Sequence, residues 1–420
     1  MNDDKYKIIA TNLSPERPIR SSEFLRGRAD DLENIERELR YFHAVAFIYG
    51  HRGVGKTSLA RTAAQLVTSS DREHIYVACA PESRMLQIFR EIAEELLKLT
   101  FKSGAINTIR KKVEVEFSIN PAIRASFEKN DPTLDNFNDV NAAIRVIKDL
   151  DSILPETGTT VVVLDELEEL NADDRTDLAY LVKQIGDQEF RTKFILVGIA
   201  ENVHELIGAH ESVPRYLKEV SLHPLPAQYL MDIVEIAASA VNILVPQNIL
   251  YRIAIVGNGF PHFAHLMGKA LLIEAIITNQ STITDEVYRA GVKRAVQDSL
   301  EELRISYEAA TQRGQDYFKH LIWALAHSDI VDVRIDEWIA LYYELGKSLH
   351  WVRFDETKLK TAIGNFKSDS CGKIVVNTPA RYGSSEMRYR YKRFNNTLMK
   401  GHVRLQAEHE GVTLGMSTTV

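Results

Sequence analysis

Cysteine is nearly missing from this 420-residue chain: only Cys79 and Cys371 occur, with no metal-type spacing. That excludes a disulfide framework and a cysteine-based metal cluster, and it fits a reducing compartment. Long apolar runs are missing too. The most apolar stretch, Phe260 to Ile277, is interrupted by His262, His265, Lys269 and Glu274, which argues against a membrane span. The opening Met1-Asn2-Asp3-Asp4-Lys5 has no basic stretch leading into an apolar core. No signal peptide is therefore expected, and a cytoplasmic location is. A global excess of positive charge is absent, since the net charge is -7, so any surface for nucleic acid has to be local. Internal repeats and low-complexity tracts are also lacking. What remains is an ordinary globular composition, 45% apolar and 26% charged. Its length suits about two to four domains.

In the first half, strand-like runs alternate with helical patterns. A helix over Glu33 to Phe42 precedes a buried strand, Val45 to Tyr49, and a helix follows from Leu59 to Val67. His74 to Cys79, Thr160 to Leu164, Phe194 to Gly198 and Glu219 to His223 read as further strands. Helical spacing separates them: Met85 to Leu97, then Val140, Ile144, Ile147 and Leu150, then Leu178, Leu181, Val182 and Ile185. This alternation predicts a parallel α/β sheet in a domain spanning about residues 1–225. Within it, 100–135 reads as an insertion holding a helix or a strand pair, and the first twenty residues as irregular. After Pro224 and Pro226 the strand signal stops. Helices near 228–240, 246–256, 261–278 and 284–299 predict a helical lid over 226–300. The remainder, 301–420, shows helical patterns near 315–327, 335–345 and 356–367, then strands near 373–378 and 387–394. The last ten residues are expected to fray.

The first strand runs directly into Gly50-His51-Arg52-Gly53-Val54-Gly55-Lys56-Thr57-Ser58. This holds every fixed position of G-x-x-x-x-G-K-[ST], with an apolar strand before it and a helix behind it. Backbone N–H groups of such a loop face phosphate oxygens, and glycines permit the close approach. Gly50, Gly53, Val54, Gly55, Lys56, Thr57 and Ser58 are the expected nucleotide contacts. Lys56 reaches the β and γ phosphates, and the Thr57 hydroxyl suits Mg2+. ATP with Mg2+ is the expected ligand. A second element, Val161-Val162-Val163-Leu164-Asp165-Glu166, brings an acidic pair to a strand's carboxyl end, where open α/β sheets bind ligands. Asp165 is the candidate metal ligand and Glu166 the candidate base for the attacking water. A plain acidic strand end is the competing reading, since Glu168 and Glu169 follow.

Together, a P-loop opening the domain, Asp-Glu after four apolar residues, and a helical segment behind the sheet resemble the AAA+ superfamily. The pattern is similar to the origin-recognition and cell-division-control initiator branch, and to related transposition and STAND-type ATPases. Phe24-Leu25-Arg26-Gly27-Arg28, followed by Asp31 and Leu32, is similar to an entry motif that packs by the adenine. The resemblance implies a nucleotide contact for Arg28. It also implies a polar sensor residue after the Phe194 strand, here Asn202, and an arginine finger, here Arg215 within Ser212 to Leu217. Gly257 to His262 resembles the turn that opens the sensor-two helix, with His262 where members often carry Arg. It further implies a homo-oligomer with nucleotide at subunit interfaces.

Between Gly372 and Gln406 stand Lys373, Arg381, Arg388, Arg390, Lys392, Arg393, Lys400 and Arg404, against the single acid Glu386. Tyr382, Tyr389, Tyr391 and Phe394 interleave with them. Three helices, a strand, a Gly/Ser turn and a second strand look like a winged helix. Lys358, Lys360, Arg388, Arg390 and Arg393 are the candidate contacts to duplex DNA. The sequence thus predicts an ATP-hydrolysing switch acting on or with DNA, such as an initiator, loader or transposition-type regulator. The alternative is a STAND-like signalling or defence ATPase whose C-terminal domain binds a protein partner. A small-molecule kinase is disfavoured by the helical lid and the Asp-Glu pair.

Overall fold

In the computed structural model, strand β1 (Val45–Gly50) is buried from Val45 to Ile48. Strands buried on both faces need covering helices, which the crossovers of a parallel sheet supply. The structure describes residues 2–15, 25–42, 44–70, 72–116, 118–134, 139–155, 158–188, 190–200, 213–312, 316–379 and 387–415. The chain divides into two compact units. One comprises Pro18–His51 and Lys56–His223; the other comprises Met1–Arg17, Arg52–Gly55 and Pro224–Val420. Residues 226–300 and 301–420 fall in the same unit.

The first unit is a parallel five-stranded sheet wrapped by helices. Helices α1 (Asn2–Asn12) and α2 (Ala29–Tyr41) precede β1, although α1 belongs to the other unit. The order then runs α3 (Lys56–Val67), β2 (Ile75–Ala78), α4 (Met85–Lys102), α5 (Ile106–Val115), α6 (Pro121–Lys129), α7 (Val140–Ile153), β3 (Val161–Asp165), α8 (Ala172–Asp187), β4 (Lys193–Gly198) and β5 (Leu217–Leu222). The strands lie in the order β2-β3-β4-β1-β5. Gly50 pairs with Leu222, and Asp165 with Ala78. The carboxyl ends of β1 and β3 therefore open on one edge of the sheet, with β4 between them. Asp151 sets the start of β4: its carboxylate accepts the Arg191 and Thr192 N–H groups at 3.0 and 2.7 Å. The insertion resolves into two helices rather than a strand pair. Asn120 caps Ala122 N–H at 2.9 Å and Pro121 takes the first helical position, where its missing N–H costs nothing.

In the other unit come α9 (Ala227–Ala240), α10 (Gln247–Gly257), α11 (Pro261–Ile277), α12 (Asp285–Gln297), α13 (Glu301–Thr311) and α14 (Asp316–His327). They are followed by β6 (Val333–Arg334), α15 (Ile335–Ser348), α16 (Glu356–Asn365), β7 (Val375–Pro379), β8 (Met387–Phe394) and α17 (Met399–His409). The short β6 joins β8 and β7 in an antiparallel sheet of order β6-β8-β7. Two sequence expectations need correcting here. Residues 2–12 are helical, not irregular: α1 packs on α9 and α11, burying Ile9 and Leu13. The chain end is not frayed over its described part, because Leu414 is buried and Gly415 N–H donates to His327 Nδ1 at 3.1 Å. Residues 416–420 lie outside the described residues.

Helix α17 is a buried strut against α10, α12, α13 and α14. Its charges are spent on neighbours. Lys400 donates to the Ser328 and Ile330 carbonyls at 2.7 and 3.2 Å. Arg404 donates to the Ala326 and Ile255 carbonyls at 2.9 and 2.7 Å. Glu408 accepts from Arg252 and Tyr288 at 2.5 and 3.0 Å. Hydrogen bonds of this kind, with at least one charged partner, are the strong ones in a low-dielectric interior.

Three histidines of this unit are neutral by burial. His265, His320 and His402 are each pushed down to about 4, chiefly by desolvation and then by the nearby His262, Lys319 and Arg304 respectively. Their unfolded imidazoles take up protons below about 6.5, the folded ones not until about 4. In that window the unfolded state binds more protons, so stability falls as the pH drops. A series of urea midpoints between pH 7 and 4.5 is expected to decline steadily. A flat series would contradict the assignment.

Candidate active site

The loop after β1 adopts the backbone that the glycines allow. Gly50, Gly53 and Gly55 have φ of +145°, +83° and +97°. A Cβ at Gly50 would run into the Leu222 carbonyl of the neighbouring β5, so only glycine fits there. A Cβ at Gly55 would meet nothing within 4 Å, which leaves open space beside that loop residue. Lys56, Thr57 and Ser58 form the first turn of α3, whose N–H groups have no helical partners and favour an anion. Lys56 is buried, and its ammonium donates to the His51 carbonyl at 2.9 Å, which folds the side chain back along the loop. Val54 is buried.

Asp165 ends β3 and is buried. Both of its carboxylate oxygens are engaged. Oδ1 accepts the Glu166 N–H at 2.8 Å, and Oδ2 accepts the Tyr76 hydroxyl at 3.0 Å. Tyr76 comes from β2, and the Arg61 guanidinium of α3 lies over its ring, 3.6 Å from the centroid. Burial, against the effect of Arg61, pushes the Tyr76 hydroxyl up to about 12, so it stays protonated and remains a donor. Glu166 is exposed and left-handed, with φ +60° and ψ +41°. That conformation is costly for a residue with a Cβ, on the order of 1–3 kcal/mol, and such strain gathers at functional sites. It turns the chain sharply after Asp165 into a short 3-10 turn, Leu167–Glu169. Glu168, part of a plain acidic run in the sequence, reaches across to accept the Ile199 N–H at 2.8 Å and so fixes the exit of β4. Cys79 next to this edge is inert: burial, then Asp165 and its acidic neighbours, push the thiol up to about 12.

The remaining candidates are scattered. Asn202 lies outside the described residues. Arg215 sits exposed in a 3-10 turn before β5, 5.5 Å from the Tyr216 ring centroid, and Tyr216 is tied by its hydroxyl to Asp187. Arg28 is buried and donates to the His223 carbonyl at 2.5 Å and to Asp31 at 3.4 Å. Burial lowers its pKa, with Asp31 opposing. His262 opens α11 in the other unit and meets Phe263 edge-on at 5.2 Å. Tyr76, Arg61 and Glu168 were not legible as site residues. Only their long-range contacts identify them.

The donor set suits a metal nucleotide: loop amides and an ammonium for phosphate, a hydroxyl and a carboxylate for a hard cation. Residues 42–207 match the family model for an AAA domain. This segment is similar to an AAA domain. No curated protein matches the chain. Among solved structures, the fold is similar to that of a Walker-type ATPase of Pyrococcus abyssi, 16% identical, with a TM-score of 0.50 over 93% of this chain and 99% of that one. Two Aeropyrum pernix structures are also similar. One is the ORC2 protein in ADPNP-ADP complexes, 14% identical, TM-score 0.48, covering 96% of each chain. The other is the ORC1 protein in complex with DNA, 16% identical, TM-score 0.45, covering 96% of each chain.

The basic C-terminal segment separates into two kinds of residue. Lys392, Lys400 and Arg404 are buried and serve packing; Lys392 donates to Asn377 Oδ1 and the Tyr389 carbonyl at 2.6 and 2.5 Å. Arg390 and Tyr389 on β8 are exposed, and the Arg388 guanidinium lies over the Tyr391 ring, 3.5 Å from its centroid. Arg393 is partly exposed. On α16, Lys360 pairs with Glu356 at 2.7 Å, and the Lys358 ammonium lies over Phe354, 4.2 Å from the centroid. Residues 380–386, between β7 and β8, lie outside the described residues.

Proposed function

We propose that the chain is a Mg2+-dependent ATPase switch that acts with duplex DNA. The observation that carries the ATPase reading is the pair at the end of β3: a doubly held Asp165 and a strained, exposed Glu166, on the same sheet edge as the P-loop. In this reading the loop amides and Lys56 hold the phosphates, while Thr57 and Asp165 hold the metal. Bound Mg2+ would neutralise charge on the β and γ phosphate oxygens. Glu166 takes the proton from the attacking water as its oxygen bonds to the γ-phosphorus and the bond to the ADP oxygen breaks. Asn202 orients that water. Arg215 offers its guanidinium to the γ-phosphate of a neighbouring subunit, and His262 reports the nucleotide state to the lid.

The DNA reading rests on α14–α16 with the β6-β8-β7 sheet, acting as a winged helix. Exposed Arg390, partly exposed Arg388 and Arg393, and Lys358 and Lys360 on α16 supply the local positive charge that a chain of net charge -7 needs to approach phosphate. The test is ATP turnover with and without duplex DNA, alongside particle mass in ATP and in ADP. Stimulation by DNA together with a larger mass in ATP is expected. ATP-dependent assembly with no response to DNA would move the reading to a signalling switch with a protein partner.

A further inference from the structure

The contact between Tyr76 and Asp165 has no counterpart in the motifs that define the phosphate site. It joins three elements of one unit. Asp165 stands at the carboxyl end of β3; Tyr76 stands in the edge strand β2, paired with Val163. Side chains alternate along a strand, so Ile75 and Val77 enter the core while Tyr76 faces the other side of the sheet. There its hydroxyl reaches up the strand to Asp165 Oδ2 at 3.0 Å. Arg61 lies one helical turn beyond Thr57 on α3 and caps the ring from above, at 3.6 Å. Its Nε is buried with no hydrogen-bond partner, so ring stacking holds this end of the guanidinium.

The geometry points to Tyr76 as a positioning residue for the Asp165 carboxylate, with Arg61 fixing the Tyr76 ring. This rests on the reading of Asp165 as a metal ligand. A carboxylate on a strand end can swing about its last torsion. Here one oxygen is tied to the Glu166 N–H and the other to Tyr76, which sets the plane of the group before any cation arrives. Each oxygen keeps one further acceptor site, so the plane is fixed without using up its capacity. The Arg61 cation draws electron density from the phenol ring and makes its O–H a stronger donor. It also links the helix that carries Thr57 to the strand neighbouring Asp165, so both proposed metal contacts are braced against the same ring. Groups that orient a metal ligand in this way typically contribute 10–100-fold in metal affinity or activity.

The test compares wild type with Tyr76→Phe, which keeps the ring and its stack on Arg61 and deletes only the hydroxyl. Binding of fluorescently labelled ADP is measured in EDTA and in saturating Mg2+, and ATP turnover is followed across a Mg2+ titration. The expected result is unchanged affinity in EDTA, a Mg2+-dependent tightening reduced about tenfold, and a half-maximal Mg2+ concentration raised about tenfold. Arg61→Met should shift both readouts in the same direction by less. A merely structural Tyr76 would lower the melting temperature and leave the Mg2+ dependence as in wild type, which overturns the proposal. Should Tyr76→Phe fail to fold, Arg61→Met decides alone: an unchanged Mg2+ dependence in that variant also overturns it. If Mg2+ does not tighten nucleotide binding in wild type, the metal-ligand reading itself falls, an outcome distinct from the first.

Discussion

Glu166→Gln is expected to bind ATP as wild type does and to hydrolyse it about 10²–10⁴ times more slowly. The substitution keeps the length and volume of the side chain and removes only its basicity. It also keeps the contact from residue 166 to Asp165, which is made by the backbone N–H that any residue but proline supplies. Glutamine meets the same left-handed backbone at φ +60° as glutamate does, so no new strain enters. The loss is therefore assigned to proton transfer. It corresponds to about 2.7–5.4 kcal/mol of barrier. A glutamate that only added negative potential at an exposed strand end would be worth far less, because exposed charges are screened by water and salt. Single-turnover hydrolysis with a parallel ATP-binding titration separates the cases. Turnover within tenfold of wild type removes Glu166 from the role of base.

What could be read in advance follows a physical pattern. The sheet strands were legible because parallel strands buried on both faces read as unbroken runs such as Val161 to Leu164. The strand–loop–helix from Val45 to Val67 and the place of Asp165 at a strand end were legible because their geometry is local: a strand, a turn and a helix dictate it within a few residues. The insertion is ambiguous in sequence because Pro121 and Pro132 fall within it. Asn120 followed by Pro121 is a helix start, and the structure uses it so. Helices α1 and α17 were illegible for a different reason. Their stability comes from distant partners, and α17 is buried on nearly all sides, so no apolar stripe marks it. The same burial explains Lys400 and Arg404, which raised the apparent basicity of the C-terminal segment while serving as internal hydrogen-bond donors. Helix α13 was legible and missed: Glu301 and Glu302 open it, and Leu303, Tyr307 and Ala310 recur on one face. Tyr76 and Arg61 belong to the truly non-local class, since their meaning depends on Asp165, far along the chain.

That division of the basic residues sharpens the second large effect. Replacing Arg388, Arg390 and Arg393 together by Gln is expected to weaken duplex DNA binding by about two to three orders of magnitude near 50 mM salt. It should also flatten the dependence of log K on log salt by about two to three. The reasoning is electrostatic. Each arginine that neutralises a phosphate releases condensed counterion, contributing about 0.9 to the slope. Three lost contacts remove up to three times that, and at low salt each is worth about tenfold in affinity. Glutamine keeps a polar side chain at each position while removing the charge, including the Arg388 cation over the Tyr391 ring. The control is Lys392→Gln, whose parent ammonium is buried against Asn377 and the Tyr389 carbonyl. That variant should lose stability and keep the wild-type salt slope, because a buried cation releases no counterion. Titration of a labelled duplex at several salt concentrations reads both quantities. A triple variant with the wild-type slope would mean that these arginines do not meet phosphate, and the proposed wing would lose its part in the function.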